Sequence, residues 1–312
     1  MPKLYFATDI HGSDICWKKF LGAAKYYNAD ILVLGGDMTG KAIVPLVKDP
    51  MGSTTGWLLG SEYILESQSA TQEFADQVKS RGYYPISMTK DERNHYAQNP
   101  DALDTRFKQA IAETLELWLS WIDDRLAPHI PLVVCPGNDD PEEVDRVLTG
   151  CHRVMNGEGR FLDLGDFSLA STGWANPTPW KTYREETEPD LETRLRKMLP
   201  QTMNRKTTIF NFHCPPYASG LDDAPELGED LSIKNAGQST VPVGSTAVRK
   251  IIEEYQPLLS LHGHIHEAKG LCRIKKTVVV NPGSLYEQGI LQGGLFDIHP
   301  KKGLRSWVLV SG

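Results

Sequence analysis

Two stretches near the start decide how this chain folds: Lys3-Leu4-Tyr5-Phe6-Ala7-Thr8-Asp9-Ile10-His11-Gly12 and Asp30-Ile31-Leu32-Val33-Leu34-Gly35-Gly36-Asp37. Each is an apolar run the length of a buried strand, and each stops at glycine beside a side chain able to bind a cation. Between them Ile15, Trp17, Phe20, Leu21 and Ala24 recur at helical spacing, with Ser13 as a cap, so Asp14 to Asn28 is predicted to be a helix. Strand, helix, strand implies a parallel pair joined by a crossover.

The pattern repeats outward. Leu132, Val133 and Val134 run into Pro136-Gly137-Asn138-Asp139-Asp140, and Pro141 to Leu148 reads as a short helix with acids at its start, where the helix dipole favours them. Arg160 to Gly173 alternates as two antiparallel strands about Gly165-Asp166. Thr207 to Phe212 ends at His213, Leu258 to Leu261 at His262-Gly263-His264-Ile265-His266, and Thr277 to Val280 at Asn281-Pro282-Gly283-Ser284. Gly294–Ile298 and Arg305–Val310 read as a closing hairpin. Ala102 to Leu126 has the stripe of a long helix facing a core (Phe107, Ile111, Leu115, Trp118, Trp121, Ile122).

One stretch breaks the rhythm. Lys41 to Arg106 is far longer than the connections usual in α/β units. It holds a hairpin signal over Gly56–Leu65, a polar helical segment over Thr71–Gly82 and a loose Tyr83-Tyr84-Pro85. It reads as an insertion within a single domain spanning residues 1–312, with a cap over the site and a mere surface excursion both open.

With 312 residues, 40% hydrophobic and 23% charged, the chain can bury a large core. A formal net charge of -7 argues against coating nucleic acid or a membrane surface, which needs clustered Lys and Arg. It does not argue against a phosphate-bearing substrate, because bound cations bring their own charge. No apolar stretch has the length of a membrane span, the start lacks a signal-peptide shape, and five scattered Cys without a C-x-x-C pair suit reduced thiols. A cytoplasmic location is expected. Oligomeric state is not legible.

Almost every buried strand therefore ends in a potential metal ligand: Asp9 and His11, Asp37, Asn138, His213, and His264 with His266. Loops beyond the carboxyl ends of such strands are where open α/β sheets bind ligands. Two carboxylates, one amide and four imidazoles exceed one tetrahedral ion and suit two divalent transition metals sharing a carboxylate. Each residue alone has a plain explanation as part of a turn. The ordered set is what points to chemistry.

Asp9-Ile10-His11, Gly36-Asp37, Gly137-Asn138-Asp139-Asp140, His213 and Gly263-His264-Ile265-His266, in that order, resemble the signature of the calcineurin-like metallophosphoesterase superfamily. The resemblance spans nearly the whole chain apart from 41–106. It implies a four-layer αββα sandwich of two mixed sheets flanked by helices. It also implies a dinuclear phosphoester hydrolase, monoesterase or diesterase, acting on a small-molecule or nucleotide phosphoester. Asp9, His11 and His266 would hold one divalent metal and Asn138, His213 and His264 the other, with Asp37 bridging; Mn, Fe, Ni, Co or Zn would each suit. A hydroxide between the metals would attack phosphorus in line. Asp37, Asn138, Asp139 and His213 are the catalytic candidates, and His262 and Asn281 would support the ligands. A catalytically inactive binding scaffold of the same fold is the alternative. One position departs from the pattern: Asp139 stands where many members carry a histidine that protonates the leaving oxygen. Asp139 could do so only if protonated, and otherwise reads as a cap of the following helix or an orienting group.

Overall fold

The computed structural model describes residues 2–312. Its frame is two six-stranded mixed sheets. The first runs in the order Gly303–Ser311, Gln292–His299, Lys3–Ala7, Ile31–Leu34, Leu132–Val134, Met155–Asn156. Its last four strands are parallel, and the other two attach antiparallel at one edge. The second runs Gly270–Ile274, Thr277–Asn281, Leu259–Leu261, Thr208–Phe212, Ser168–Thr172, Arg160–Asp163, with four parallel strands between two antiparallel edges.

Alternation along the strands sorts side chains into layers. Tyr5, Ala7, Leu32, Leu34, Leu132 and Val134 pack outward on the helices Asp14–Tyr27, Pro100–Ser120 and Glu143–Thr149. Leu4, Phe6, Val33 and Val133 face Leu169, Ile209, Leu259, Leu261, Val278 and Val280 of the second sheet. Beyond that sheet Ala170, Phe210, Phe212 and Val279 are covered by Leu191 and Leu195 of Glu188–Met198 and by Val248, Ile251 and Ile252 of Thr246–Tyr255. The result is helix, sheet, sheet, helix, the sandwich that the resemblance implies. The helix Asp14–Tyr27 is seated by Trp17, whose ring stacks on Trp118 at 5.3 Å and whose indole N–H donates to the Trp118 carbonyl at 3.0 Å. Its cap is Ser13, which accepts from Cys16 N–H.

Residues 43–88 build a further four-stranded sheet, Ser61–Leu65, Thr54–Leu58, Ile43–Lys48, Tyr84–Met88, on which the helix Gln68–Ser80 packs. Val44, Leu46, Leu58, Leu65, Phe74, Ala75 and Val78 form its own small core. Tyr83-Tyr84-Pro85, expected to be loose, is corrected here: Tyr84 starts a strand parallel to Ile43–Lys48. That strand lies at the sheet edge, where a proline lacking its N–H is tolerated. The long helix expected over Ala102–Leu126 is two: Pro100–Ser120, then Ile122–Arg125 after a break at Trp121. Among the described residues no helix is long and apolar enough to cross a membrane, and all five cysteines are free thiols.

Candidate metal centre

The strand ends of both sheets turn toward one another, and four of the seven expected ligands occupy strained backbone to do so. Asp9, His11, Asp37 and His264 have φ of 52°, 37°, 49° and 68°, left-handed values that non-glycine residues adopt at a cost of about 1–3 kcal/mol each. Neighbouring turns hold them there. Asp9 N–H donates to the Gly36 carbonyl at 2.9 Å, His11 N–H to the Asp37 carbonyl at 3.0 Å, and Gly263 N–H to the His213 carbonyl at 2.9 Å. Glycine is required where donors press on backbone: a Cβ on Gly36 would collide with the His213 ring, and one on Gly263 with the Asp9 carboxylate.

The ligand atoms converge. Those of Asp9, His11 and His266 lie within 4.8 Å of one another, and so do those of Asp37, His213 and His264. His11 with Asp37 and Asp139 makes a third such set, so Asp37 belongs to two. The Nε2 atoms of His11 and His266 are 3.0 Å apart, and His213 Nε2 is 3.4 Å from Asp37 Oδ2 and 3.8 Å from Asp9 Oδ1. Asn138 lies in the same cavity as Asp37 and His264, its amide nitrogen donating to Thr182 Oγ1 at 2.8 Å, which leaves the carbonyl oxygen as its donor atom. Asn138 Oδ1 and His213 Nε2 are buried without a hydrogen-bond partner, which ordinarily costs about 1–3 kcal/mol apiece. Lone pairs stacked this closely, with buried atoms left unpaired, fit cations as their partners.

Charge balance in the cluster is tight. Burial alone would raise the Asp37 carboxyl, but His213 and His11 outweigh it and hold it well below the usual range. Burial would lower His213, yet Asp37 and Asp9 push it up to about 9. Asp9 is likewise held near 2, burial being outweighed by His266 and His213. Burial and His213 bring His264 down to about 4.

His262 does not reach this cluster. Its Nδ1 donates to the carbonyls of Phe212 and Cys214, at 2.7 and 2.9 Å, and its Nε2 meets Ser260 Oγ at 2.8 Å. It thereby ties down the strand end that carries His213. Asn281 donates to the carbonyls of Gly263 and Ile265 at 3.3 and 2.8 Å, holding the His-x-His turn.

Asp139 corrects one expectation. The next helix starts at Glu143 without a side-chain cap, and the Asp139 carboxylate instead pairs with the Lys41 ammonium. Lys41 was missed in the sequence, although it stands just four residues beyond Asp37. Asp140, read in the sequence as the last residue of the Gly137-Asn138-Asp139-Asp140 motif, was given no role there. It accepts from the N–H groups of Met38, Thr39 and Gly137 and from Thr39 Oγ1, welding the Asp37 and Asn138 turns together. Tyr286, whose ring centre lies 4.7 Å from that of His11, gave no signal at all.

Two mixed sheets packed face to face, with these donors gathered at their strand ends, decide the fold. It is the calcineurin-like metallophosphoesterase fold. Two solved structures share this architecture along their length. One has a TM-score of 0.58 at 18% identity, covering 99% of both chains. The other, the protein TT1561 of Thermus thermophilus, has a TM-score of 0.53 at 15% identity, covering 100% of this chain and 98% of that one. In sequence, the chain is 29% identical over 159 residues to the uncharacterized protein MJ1162 of Methanocaldococcus jannaschii. That match covers 50% of this chain and 66% of the relative, just under two thirds of its length. No model of a known protein family matches the sequence.

Proposed function

We propose that the protein is a phosphoester hydrolase working with two divalent metal ions. The observation that carries this reading is the sharing of Asp37 between two donor sets, with His213 and His264 on one side and His11 and Asp139 on the other. In this reading Asp9, His11 and His266 hold one cation, Asn138, His213 and His264 the second, and Asp37 both. When bound, the metal pair would lower the pKa of a water and offset charge on the phosphoryl oxygens.

The chain's own groups do the rest. Lys41, held by Asp139 at the edge of the donors, offers an ammonium to a phosphoryl oxygen. Asp139 acts through Lys41 as a positioning residue. Burial and Asp37 raise its carboxyl to about 6, while the Lys41 ammonium opposes them. With no histidine at this position, leaving groups that need little protonation, such as aryl oxides, suit the site best.

Protein loaded with Mn²⁺ should hydrolyse bis(p-nitrophenyl) phosphate, and Asp37→Ala or His213→Ala should abolish turnover. Absence of turnover with each of Mn²⁺, Fe²⁺, Ni²⁺, Co²⁺ and Zn²⁺ would favour the binding-scaffold alternative.

A further inference from the structure

A cavity of about 1080 Å³ opens directly off the donor cluster, its lining running from Asp37, Asn138 and His264 to an opposite wall. Two segments form that wall. One is the turn Pro177–Trp180. The other spans residues 217–243, including the two-stranded ribbon Asp223–Pro225 with Thr240–Pro242. They are braced to each other, because Asn176 Nδ2 donates to the Val243 carbonyl at 3.1 Å. The Asp222 carboxylate fixes the second segment by accepting from Ala218, Ser219 and Gly244 N–H.

The wall is apolar and open to solvent. Trp180, Tyr217, Leu231, Ile233 and Val241 are large hydrophobic side chains left exposed, and all five face this one cavity. Exposed apolar groups scattered singly need no explanation, but gathered around one cleft they mark a ligand surface. Charge is equally telling. Lys41 is the only lysine or arginine in the lining among the described residues, and it sits at the donor end, whereas Glu188 and Glu267 line the cavity as acids. Glu188 is already engaged with Ser245 Oγ and Ala247 N–H. A polyphosphate or nucleic-acid strand would find no cation beyond the first phosphate.

Resting on the phosphoester reading above, we infer that this cavity is a subsite for the organic body of the substrate, and that it selects phosphoesters of uncharged apolar or aromatic alcohols. The phosphoryl group sits at the donors, and Trp180 and Ile233 cover the ring or chain attached to it.

The test is equilibrium binding of two non-hydrolysable probes, phenylphosphonate and methylphosphonate, to Mn²⁺-loaded protein by isothermal titration calorimetry. Burying a phenyl ring against such a wall should tighten binding roughly tenfold or more over methyl. Trp180→Ala combined with Ile233→Ala should bring that ratio below about threefold, the two residues being exposed and their loss tolerable to the fold. Ile64→Ala, as exposed at 69% as Trp180 is at 65% but off the cavity, should leave the ratio where it was. Equal binding of the two probes, or a ratio unmoved by the double variant, would overturn the subsite. A protein that prefers phenylphosphonate in this way yet hydrolyses no ester keeps the subsite and loses the hydrolase. Tighter binding of inorganic triphosphate than of phenylphosphonate would also count against it.

Discussion

The backbone N–H of His264 donates to both carboxylate oxygens of Asp9, at 3.0 and 3.1 Å, across 255 residues of sequence. One partner follows the strand Lys3–Ala7 of one sheet and the other follows Leu259–Leu261 of the facing sheet, so this contact latches the two halves of the sandwich at the site. Asp9 also faces His266 Nε2 at 3.4 Å. A single carboxylate thus serves both as latch and as proposed ligand.

Asp9→Ala should therefore lose two things at once. Without metal, the midpoint of thermal unfolding should fall by the equivalent of about 1–3 kcal/mol, since the half-buried His264 N–H loses its acceptor. With Mn²⁺, wild-type protein should gain thermal stability in proportion to the logarithm of metal concentration, and the variant much less. Thermal melts across a Mn²⁺ series, with metal content measured in parallel, check this. Equal metal-induced gains in both proteins would remove Asp9 from the ligand set.

The glycines give a sharper contrast. Gly36 has φ of +139° and its missing Cβ makes room for the His213 ring, whereas Gly22 lies inside the helix Asp14–Tyr27 with nothing within 4 Å of a Cβ. Gly36→Ala should destabilise the fold by more than about 1 kcal/mol and remove nearly all activity. Gly22→Ala should stabilise by about 0.5–1 kcal/mol and leave turnover alone. Urea unfolding and initial rates separate the two. A Gly36→Ala protein with full activity would mean that His213 has slack in its position.

The parallel core was legible because its strands are short apolar runs that stop at glycine, aspartate or histidine, and the seven expected ligands lie at those stops. Sequence fell short where a segment's partner is remote. Lys90–Gln98 has no buried side chain and hence no apolar stripe, and only its Thr89/Glu92 capping box could have flagged it. Ile43–Lys48 and Tyr84–Met88 specify each other only by pairing across about 40 residues, and Pro85 disguised the second. Lys41 carries no motif. It becomes part of the site because the chain after Gly40 folds back past Asp139, a relation set by tertiary packing.

The Lys41–Asp139 pair leads to a kinetic expectation. If the ammonium meets a phosphoryl oxygen and Asp139 only holds it, Lys41→Met should lower kcat/KM for bis(p-nitrophenyl) phosphate by roughly 10- to 100-fold. Asp139→Asn should lower it less, and the double variant should be no worse than Lys41→Met alone, because the two act as one unit. Bound metal, measured by elemental analysis, should persist in Lys41→Met. Additive losses in the double variant would give Asp139 a separate role, as in the third donor set.

His262 offers a test that needs no metal. It is fully buried, and burial lowers its pKa from 6.5 to about 4 even though the Phe212 and Cys214 carbonyls favour its charged form. The sign follows directly. Above pH 6.5 the imidazole is neutral in both folded and unfolded chains. Between 6.5 and 4 the unfolded chain binds a proton that the folded chain does not, so stability present above 6.5 is lost as pH falls toward 4. By pH 5 that loss should be about 2 kcal/mol for this residue. His262→Gln cannot titrate. In urea unfolding with a chelator present throughout, the variant should be less stable than wild type at pH 7.5, by about 1–3 kcal/mol, because a buried hydrogen-bonded ring is replaced. At pH 5 the gap should shrink by about 2 kcal/mol, since only the wild type loses the His262 contribution on the way down. His264, which titrates in the same direction, remains in both proteins and cancels in the comparison. A gap that stays constant across this range would mean that His262 is protonated in the fold, and that its ring does not hold the His213 strand end through a neutral Nδ1–H.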